Sequence, residues 1–243
     1  MTWKPQQALV LAAGLGTRMR PLSDDRPKPM VELAGRPLID HVLSRIADAG
    51  VPNAIINVHH HADVLEQHLE NRQAAAPVIR VQDERAKLLD TGGGATRART
   101  AFPDETFLIH NADSVWIEGV EANLDRLFAS WRPDDMDALL LVSLAGASVG
   151  YSGRGDFMMM PDGRLSRRKP GTVVPFAFNG VSLAHPRLFE GAPDGPFSLN
   201  VLWDRAIEAD RLYGVRAEGI WMHVGDPDAL REAERCLSGE LER

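Results

Sequence analysis

The sequence predicts an α/β fold: a Rossmann-like, mixed and mostly parallel sheet flanked by helices, with a small β-rich region attached. Three observations predict it. Strand and helix patterns alternate through the first half, as they do where helices cover a parallel sheet. Residues 8–13 form an unbroken apolar run with β-branched Val10 near its centre, the composition of a strand buried on both faces. From Gly150 onward the pattern changes to short extended segments separated by turn residues.

The elements follow in order. After the first strand and a glycine loop, residues 37–49 read as a helix. Pro37 suits its first turn, Leu38, Val42, Leu43 and Ile46 form an apolar stripe, and Gly50 stops it. Residues 54–58 read as the second strand, 63–71 as a short helix and 78–81 as the third strand. A loop then leads into a helix from Gly93 onward. Residues 107–109 form a fourth strand that ends in His110-Asn111-Ala112-Asp113, and 139–144 form another. Residues 157–160, the turn Pro161-Asp162-Gly163 and Leu165 read as a β-hairpin. Residues 172–183 are extended, 199–209 helical, 212–216 and 220–224 short strands, and 228–237 a closing helix. No internal repeat or linker divides the chain, so residues 1–243 are expected to form a single domain.

Composition narrows the function. The 243 residues are 44% apolar and 25% charged, an ordinary globular balance with room for a well-buried core. A formal charge of −7 gives no overall basic field, which argues against nucleic acid as a partner. It leaves room for a local basic pocket that takes a small phosphorylated ligand. Cys236 is the single cysteine, which fits a reducing compartment, and its amphipathic segment makes it a packing residue. No stretch has the apolar length of a signal peptide or a membrane span, so a cytoplasmic protein is expected, with no membrane partner.

The most specific feature is the segment that follows the first strand. Gly14 and Gly16 let backbone N–H groups approach phosphate oxygens with no Cβ in the way. Arg18 offers a planar fork for bidentate phosphate contact, and Lys28 is restrained between Pro27 and Pro29. The combination suits a nucleoside triphosphate. A dinucleotide fingerprint requires a third glycine where this chain has Met19, and a Walker loop requires Gly-Lys-Ser/Thr where it has Gly16-Thr17-Arg18. Asp113 stands just past the end of an apolar strand, where open α/β sheets place ligands.

Residues 14–29 resemble the signature G-x-G-T-R-x-x-P-L-T-x-x-x-P-K-P of the sugar-1-phosphate nucleotidyltransferases, with Ser23 in place of threonine. The resemblance implies a nucleotide-diphospho-sugar transferase (GT-A-like) fold. It divides the domain into a nucleotide-binding half (about 1–145), an acceptor-binding region (about 146–225) and a C-terminal helix (226–243). It also implies that the loop amides and Arg18 hold the triphosphate while Lys28 neutralises the phosphates between which the bond forms. Asp90-Thr91-Gly92-Gly93-Gly94 resembles the E-T-G-G-G element that backs the base and ribose, and Gln82 is a candidate for the base edge, with Asp83 as its competitor. Leu11, Ala13, Gly14, Gly16, Thr17, Arg18, Gln82, Thr91, Gly92 and Asn111 make the implied nucleotide site. Gly155, Asp156 and Asn179, within Gly153-Arg154-Gly155-Asp156-Phe157 and Phe178-Asn179-Gly180, make the implied sugar site.

Asp113 resembles the aspartate of an N-G-D element that holds a catalytic divalent ion, with Ala112 in place of the glycine. Trp221-Met222-His223-Val224-Gly225-Asp226-Pro227 resembles the element that supplies a second metal-binding aspartate. Many members carry that aspartate where this chain has His223, so Asp226 and the position of His223 both stay in play, and helix capping alone would also explain Asp226. Two carboxylates with phosphate oxygens and water suit Mg²⁺, with Mn²⁺ as the alternative. Arg18, Lys28 and Asp113 are the implied catalytic residues.

Other clusters read as structural. The consecutive His59, His60 and His61 point in different directions and lack carboxylates or cysteines at ligand spacing. The Arg167-Arg168-Lys169 run reads as a solvated turn, with attraction of the acceptor's charge as the lesser alternative. Among members of the family, the chain is most similar to the short N-acetylmuramate α-1-phosphate uridylyltransferases of bacterial cell-wall recycling. UTP and a sugar 1-phosphate are the implied substrates, and a monomer or small homo-oligomer the implied form. A mannose- or heptose-1-phosphate guanylyltransferase is the nearest enzymatic alternative, and a phosphocholine cytidylyltransferase a more distant one. A non-catalytic nucleotide- or sugar-binding regulator on the same fold is the alternative of another class.

Overall fold

The computed structural model describes residues 3–240. The start of the chain builds β1 (Gln7–Leu11), two short antiparallel strands β2 (Glu32–Leu33) and β3 (Arg36–Pro37), and helix α1 (Leu38–Asp48). Then come β4 (Asn53–Val58), α2 (Ala62–Glu70), β5 (Val78–Asp83), α3 (Asp90–Arg99), β6 (Phe107–Asn111), β7 (Ser114–Ile117), α4 (Asn123–Ala129) and β8 (Ala138–Leu144). The second half adds β9 (Phe157–Met159), β10 (Leu165–Arg167), β11 (Phe176–Ala184), α5 (Asn200–Glu208), β12 (Leu212–Arg216), β13 (Ile220–His223) and α6 (Pro227–Leu237).

Nine strands share one sheet. β1 lies between β4 and β6, with β5 outside β4, and all these pairings are parallel. β11 runs antiparallel between β6 and β8, and β12 extends the far side parallel to β8. Only β11 reverses direction among these seven strands, so the sheet is mostly parallel as expected. The β9–β10 hairpin joins at Phe157 opposite Phe176, while β7 and β13 form a separate antiparallel ribbon.

Alternation along the strands divides the core between two faces. Ala8 and Val10 of β1 face Ile39, Val42, Leu43 and Ile46 of α1, with α2 and α4 on the same side. Leu9 faces the opposite layer, where α3 contributes Ala95 and Ala98 and α5 contributes Leu202 and Trp203. Burying each large aliphatic side chain in these layers stabilises the fold by roughly 1.5–3 kcal/mol. A third cluster, Met19, Val31, Leu33, Leu38, Met222 and Leu230, fastens α6 and the segment after the glycine loop to the β7–β13 ribbon. Cys236 packs against that cluster.

The differences from expectation have physical causes. Ala12 and Ala13 leave the first strand because their N–H groups bond to the Asn57 side chain rather than to a neighbouring strand. Helix α3 starts at Asp90, three residues earlier than expected, and so contains all three glycines. Their missing Cβ atoms make room for neighbours: a Cβ on Gly92 would lie 2.4 Å from the Phe197 ring, and one on Gly93 2.4 Å from the Gly195 carbonyl. Arg167 is not part of a solvated turn. It ends β10, pairs with Asp204 at 2.6 Å and lies over the Phe157 ring. The short β2, β3 and β7 and helix α4 carry no strong periodicity and emerge only from packing. Residues 241–243 of the expected C-terminal helical segment lie outside the described residues. No helix among the described residues is long and apolar enough to cross a membrane.

Candidate active site

A cleft of about 400 Å³ opens at the carboxyl ends of β1, β4 and β6. The chain leaves β1 for β4 on one side and reaches β6 on the other, so the cleft lies at a switch point of the sheet, where open α/β folds take ligands. Leu11, Ala13, Gly14, Gly16 and Lys28 line one wall, Thr91 and Asp90 another, and Asn111 and Asp113 the floor. A second hollow, lined by residues 14–18 with Lys28, Asp113 and Gly225, continues from it.

The glycine loop is held from behind. Asn57 Oδ1 accepts the Ala12 and Ala13 N–H groups at 2.6 and 3.2 Å, so these two amides are already used. The N–H groups of residues 14–18 have no partner among the described residues and form the donor array of the loop. Gly16 adopts φ +64°, and a Cβ there would sit 3.2 Å from that of Lys28, so conformation and space both call for glycine. Ser23 Oγ donates to the Gly16 carbonyl at 2.8 Å, the hydroxyl bond that threonine could also make. Thr17 and Arg18 begin a short 3₁₀ turn, and Arg18 is exposed with no ion pair among the described residues.

Lys28 starts another 3₁₀ turn, with Pro27 extended before it, and its Nζ reaches Asp113 Oδ2 at 2.5 Å. Burial pushes the Asp113 carboxyl upward. Lys28 beside it and the His223 imidazole overcome that push and hold it below the usual carboxylate range. His223 follows from register, since it pairs with Ser114 across the β7–β13 ribbon. Burial, with Lys28 and Arg18 nearby, keeps its imidazole below the ordinary histidine value despite Asp113 and Asp226. Ala112 has no left-handed φ, so the alanine fits where the related pattern has glycine. Asp226 caps α6: its Oδ1 accepts from the N–H groups of Asp228 and Ala229 at 3.1 and 2.9 Å.

Around α3 the expected contacts divide. Thr91 faces the cleft and its Oγ1 accepts the Leu199 N–H at 3.0 Å. Gly92 is buried with its N–H bound to the Phe197 carbonyl, so it shapes the wall from behind instead of touching a ligand. Gln82 is also turned inward through its amide nitrogen, which donates to Glu84 and to the Gly94 carbonyl. Its competitor Asp83 is exposed and paired with Arg85. Asn57 and Glu84 were missed in the sequence. A polar residue inside the apolar run 54–58 was a signal for Asn57, whereas nothing local marks Glu84.

The acceptor-side residues lie on the segment before β9 and in β11. Gly155 takes φ +74°, and a Cβ there would meet the Val174 carbonyl at 2.1 Å. Asp156 Oδ2 accepts the Phe178 N–H at 2.9 Å, which ties it to the irregular register of β11 between Phe178 and Val181. Asn179 lies in that irregularity, fully buried, with neither atom of its amide group hydrogen-bonded among the described residues. Ser114 Oγ donates to its backbone carbonyl, which brings the floor of the cleft against β11.

Fold and site together define an α/β transferase whose glycine loop opens an array of backbone N–H groups onto a cleft at the carboxyl edge of the sheet. The chain belongs to the nucleotidyl transferase family, whose model matches residues 7–142. It is 44% identical to N-acetylmuramate alpha-1-phosphate uridylyltransferase of Caulobacter vibrioides over 98% of this chain and 99% of that protein. It is 31% identical to the protein of the same name from Neisseria meningitidis, over 96% and 98% of the two chains. Among solved structures, a UDP-glucose pyrophosphorylase complexed with UDP-glucose superposes with a TM-score of 0.77 at 16% identity, covering 98% of this chain and all of that one.

Proposed function

We propose that the chain condenses UTP with N-acetylmuramate α-1-phosphate to give UDP-N-acetylmuramate and pyrophosphate, in the recycling of cell-wall sugars in the cytoplasm. The observation that carries this reading is one cleft in which a loop of free N–H groups, Arg18 and the Lys28–Asp113 pair converge. The near full-length likeness to two proteins of that name supports the choice of substrates.

Residues 1–145 would then carry the nucleotide and residues 146–225 the acceptor. A sugar 1-phosphate is an anionic nucleophile near neutral pH, so the site needs no general base. An oxygen of its phosphate attacks the α-phosphorus of UTP in line, forming the new P–O bond as the bond to the bridging α–β oxygen breaks and pyrophosphate leaves. The chain brings two polyanions together and stabilises the charge that develops on the leaving group. The amides of residues 14–18 and Arg18 hold the β- and γ-phosphates. Lys28 lies between the reacting phosphates. Asp156 would bond sugar hydroxyls, while Asn179, sealed beneath the surface, would support that wall from behind.

Asp113 supplies an ionised, hard oxygen at the cleft, a donor suited to Mg²⁺ or Mn²⁺. Asp226 has its second oxygen to offer beyond the cap. Among the described residues no three His, Cys, Asp or Glu side chains converge as a metal group. That donor set fits an ion that keeps water and substrate phosphate in its shell. When bound, the ion would neutralise phosphate charge. Pyrophosphate release over a grid of UTP, GTP, CTP, ATP and dTTP with muramyl, glucosyl, mannosyl and heptosyl 1-phosphates tests the reading. A signal concentrated on UTP with N-acetylmuramate 1-phosphate is expected. A signal on GTP with a mannose-type phosphate overturns the substrate choice, and silence across the grid overturns the enzyme reading.

A further inference from the structure

Ser114 directly follows Asp113 and opens β7 beneath the floor of the cleft, with its side chain buried. Its hydroxyl joins three separate segments of the fold. Trp221 Nε1 on β13 donates to Ser114 Oγ at 3.3 Å, and the hydroxyl in turn donates to the backbone carbonyl of Asn179 on β11. An indole N–H can only donate and a carbonyl can only accept, so the direction of both bonds is settled.

The Asn179 carbonyl reaches the serine because β11 is irregular there. Phe178 pairs with Val142 and Val181 with Leu141, so Asn179 and Gly180 are extra residues that form a bulge. Gly180 takes φ +93°, and a Cβ on it would come within 3.0 Å of that of Ser114 and 3.1 Å of that of Asn111. The bulge is thus seated on the end of β6 and the start of β7, and from this same short stretch Asn111 and Asp113 line the cleft. On its other side the bulge runs into Phe178, whose N–H donates to Asp156 Oδ2 at 2.9 Å. Asp113 and Asp156 are therefore linked by a short route. It crosses one peptide bond to Ser114, the hydroxyl bond to Asn179, one peptide bond to Phe178 and the N–H bond to Asp156.

We infer that Ser114 is a positioning residue that fixes the acceptor wall against the floor of the nucleotide half, and so sets where the sugar phosphate lies relative to the α-phosphorus. The inference rests on the reading of the cleft as a uridylyltransferase site. In-line attack needs the reacting atoms about 3–3.5 Å apart and aligned, and a misplacement of about 1 Å costs on the order of 10²-fold in rate. Two polyanions repel each other, so the protein alone must hold them at that distance. Ser114 touches neither substrate. Without its hydroxyl the Asn179 carbonyl loses its hold on β7, and the bulge, Phe178 and Asp156 shift together relative to Asp113. The glycine loop and Lys28 are held by contacts that Ser114 does not make.

Steady-state kinetics of Ser114→Ala with UTP, N-acetylmuramate α-1-phosphate and Mg²⁺, beside calorimetric titration with UTP alone, test the assignment. kcat/KM for the sugar phosphate is expected to fall about tenfold or more, with UTP affinity within about twofold of wild type. The effect is expected to run through Asp156, so in an Asp156→Ala background Ser114→Ala costs no more than about a further twofold. Unchanged kcat/KM overturns the assignment, and so does an equal loss of UTP affinity, which a merely structural role would produce. The full loss repeated in the Asp156→Ala background also overturns it, because Ser114 would then act elsewhere. Should Ser114→Ala fail to fold, Trp221→Phe takes its place, since it keeps an aromatic ring and deletes only the N–H that orients the hydroxyl. A loss of about threefold or more in kcat/KM for the sugar phosphate is then expected, and no loss overturns the assignment. If the wild type forms no nucleoside diphosphate sugar, the reading of the cleft falls, and the positioning role with it.

Discussion

Lys28 and Asp113 lie 85 residues apart in the chain and meet at 2.5 Å across the cleft. That pairing makes Lys28 the most exacting single residue of the proposed chemistry. Lys28→Ala is expected to lower pyrophosphate release about 10²–10³-fold, the usual cost of deleting one preorganised charge stabiliser, while thermal melting moves by only a few degrees. Unchanged turnover would remove Lys28 from the mechanism. Asp226 separates two roles at the same scale. Asp226→Ala is expected to cost about 1 kcal/mol of stability through the lost cap. If its second oxygen also serves the ion, the Mg²⁺ concentration needed for half-maximal activity rises in the same variant. His110 carries a pH signature. Burial pushes its imidazole down to about 4 from the ordinary 6.5, so between those values the unfolded chain takes up a proton that the folded chain does not. The stability involved is present above pH 6.5 and is lost as pH falls, by roughly 3 kcal/mol at pH 4 at about 1.4 kcal/mol per unit. Melting curves of His110→Gln should be flatter than wild type over that interval, and superimposable profiles would contradict the assignment.

At the scale of elements, helix α3 shows what the sequence could and could not reveal. Its glycines were visible, and so was the likeness of its first residues to a nucleotide-backing element. Their physical reason was not visible, because Gly92 and Gly93 answer to Phe197 and Gly195, a hundred residues further on. Gly93→Ala improves helix propensity yet would push a Cβ into a backbone carbonyl. It is expected to destabilise the protein by roughly 1–3 kcal/mol, read from denaturant midpoints, and to raise the KM for the nucleotide. A rise in stability would mean that the close approach of α3 to residues 195–197 is dispensable. The buried strands and amphipathic α1 and α6 were legible because apolar periodicity is a local property. The β7–β13 ribbon was only partly legible, since β7 follows directly on Asp113 and is defined by a partner strand more than a hundred residues away.

In the whole molecule, the sheet gathers at one edge what the chain scatters. The carboxyl ends of β1, β4 and β6 bring the glycine loop, Asn57 and Asp113 together, and β11 carries Asn179 in beside them. The signature from Gly14 to Pro29 is contiguous and could be read directly. Asn57 and Glu84 act through contacts made once the sheet has formed, so a polar residue in an apolar run marks Asn57 without showing what it holds, and nothing local marks Glu84. The most direct test of the proposed reaction is phosphorus NMR of the full chain with UTP, N-acetylmuramate α-1-phosphate and Mg²⁺. Attack at the α-phosphorus is expected to replace the triphosphate and sugar phosphate signals with pyrophosphate and the coupled pair of a nucleoside diphosphate sugar, in equal amounts. Release of orthophosphate without that pair, or a spectrum unchanged with time, would contradict it.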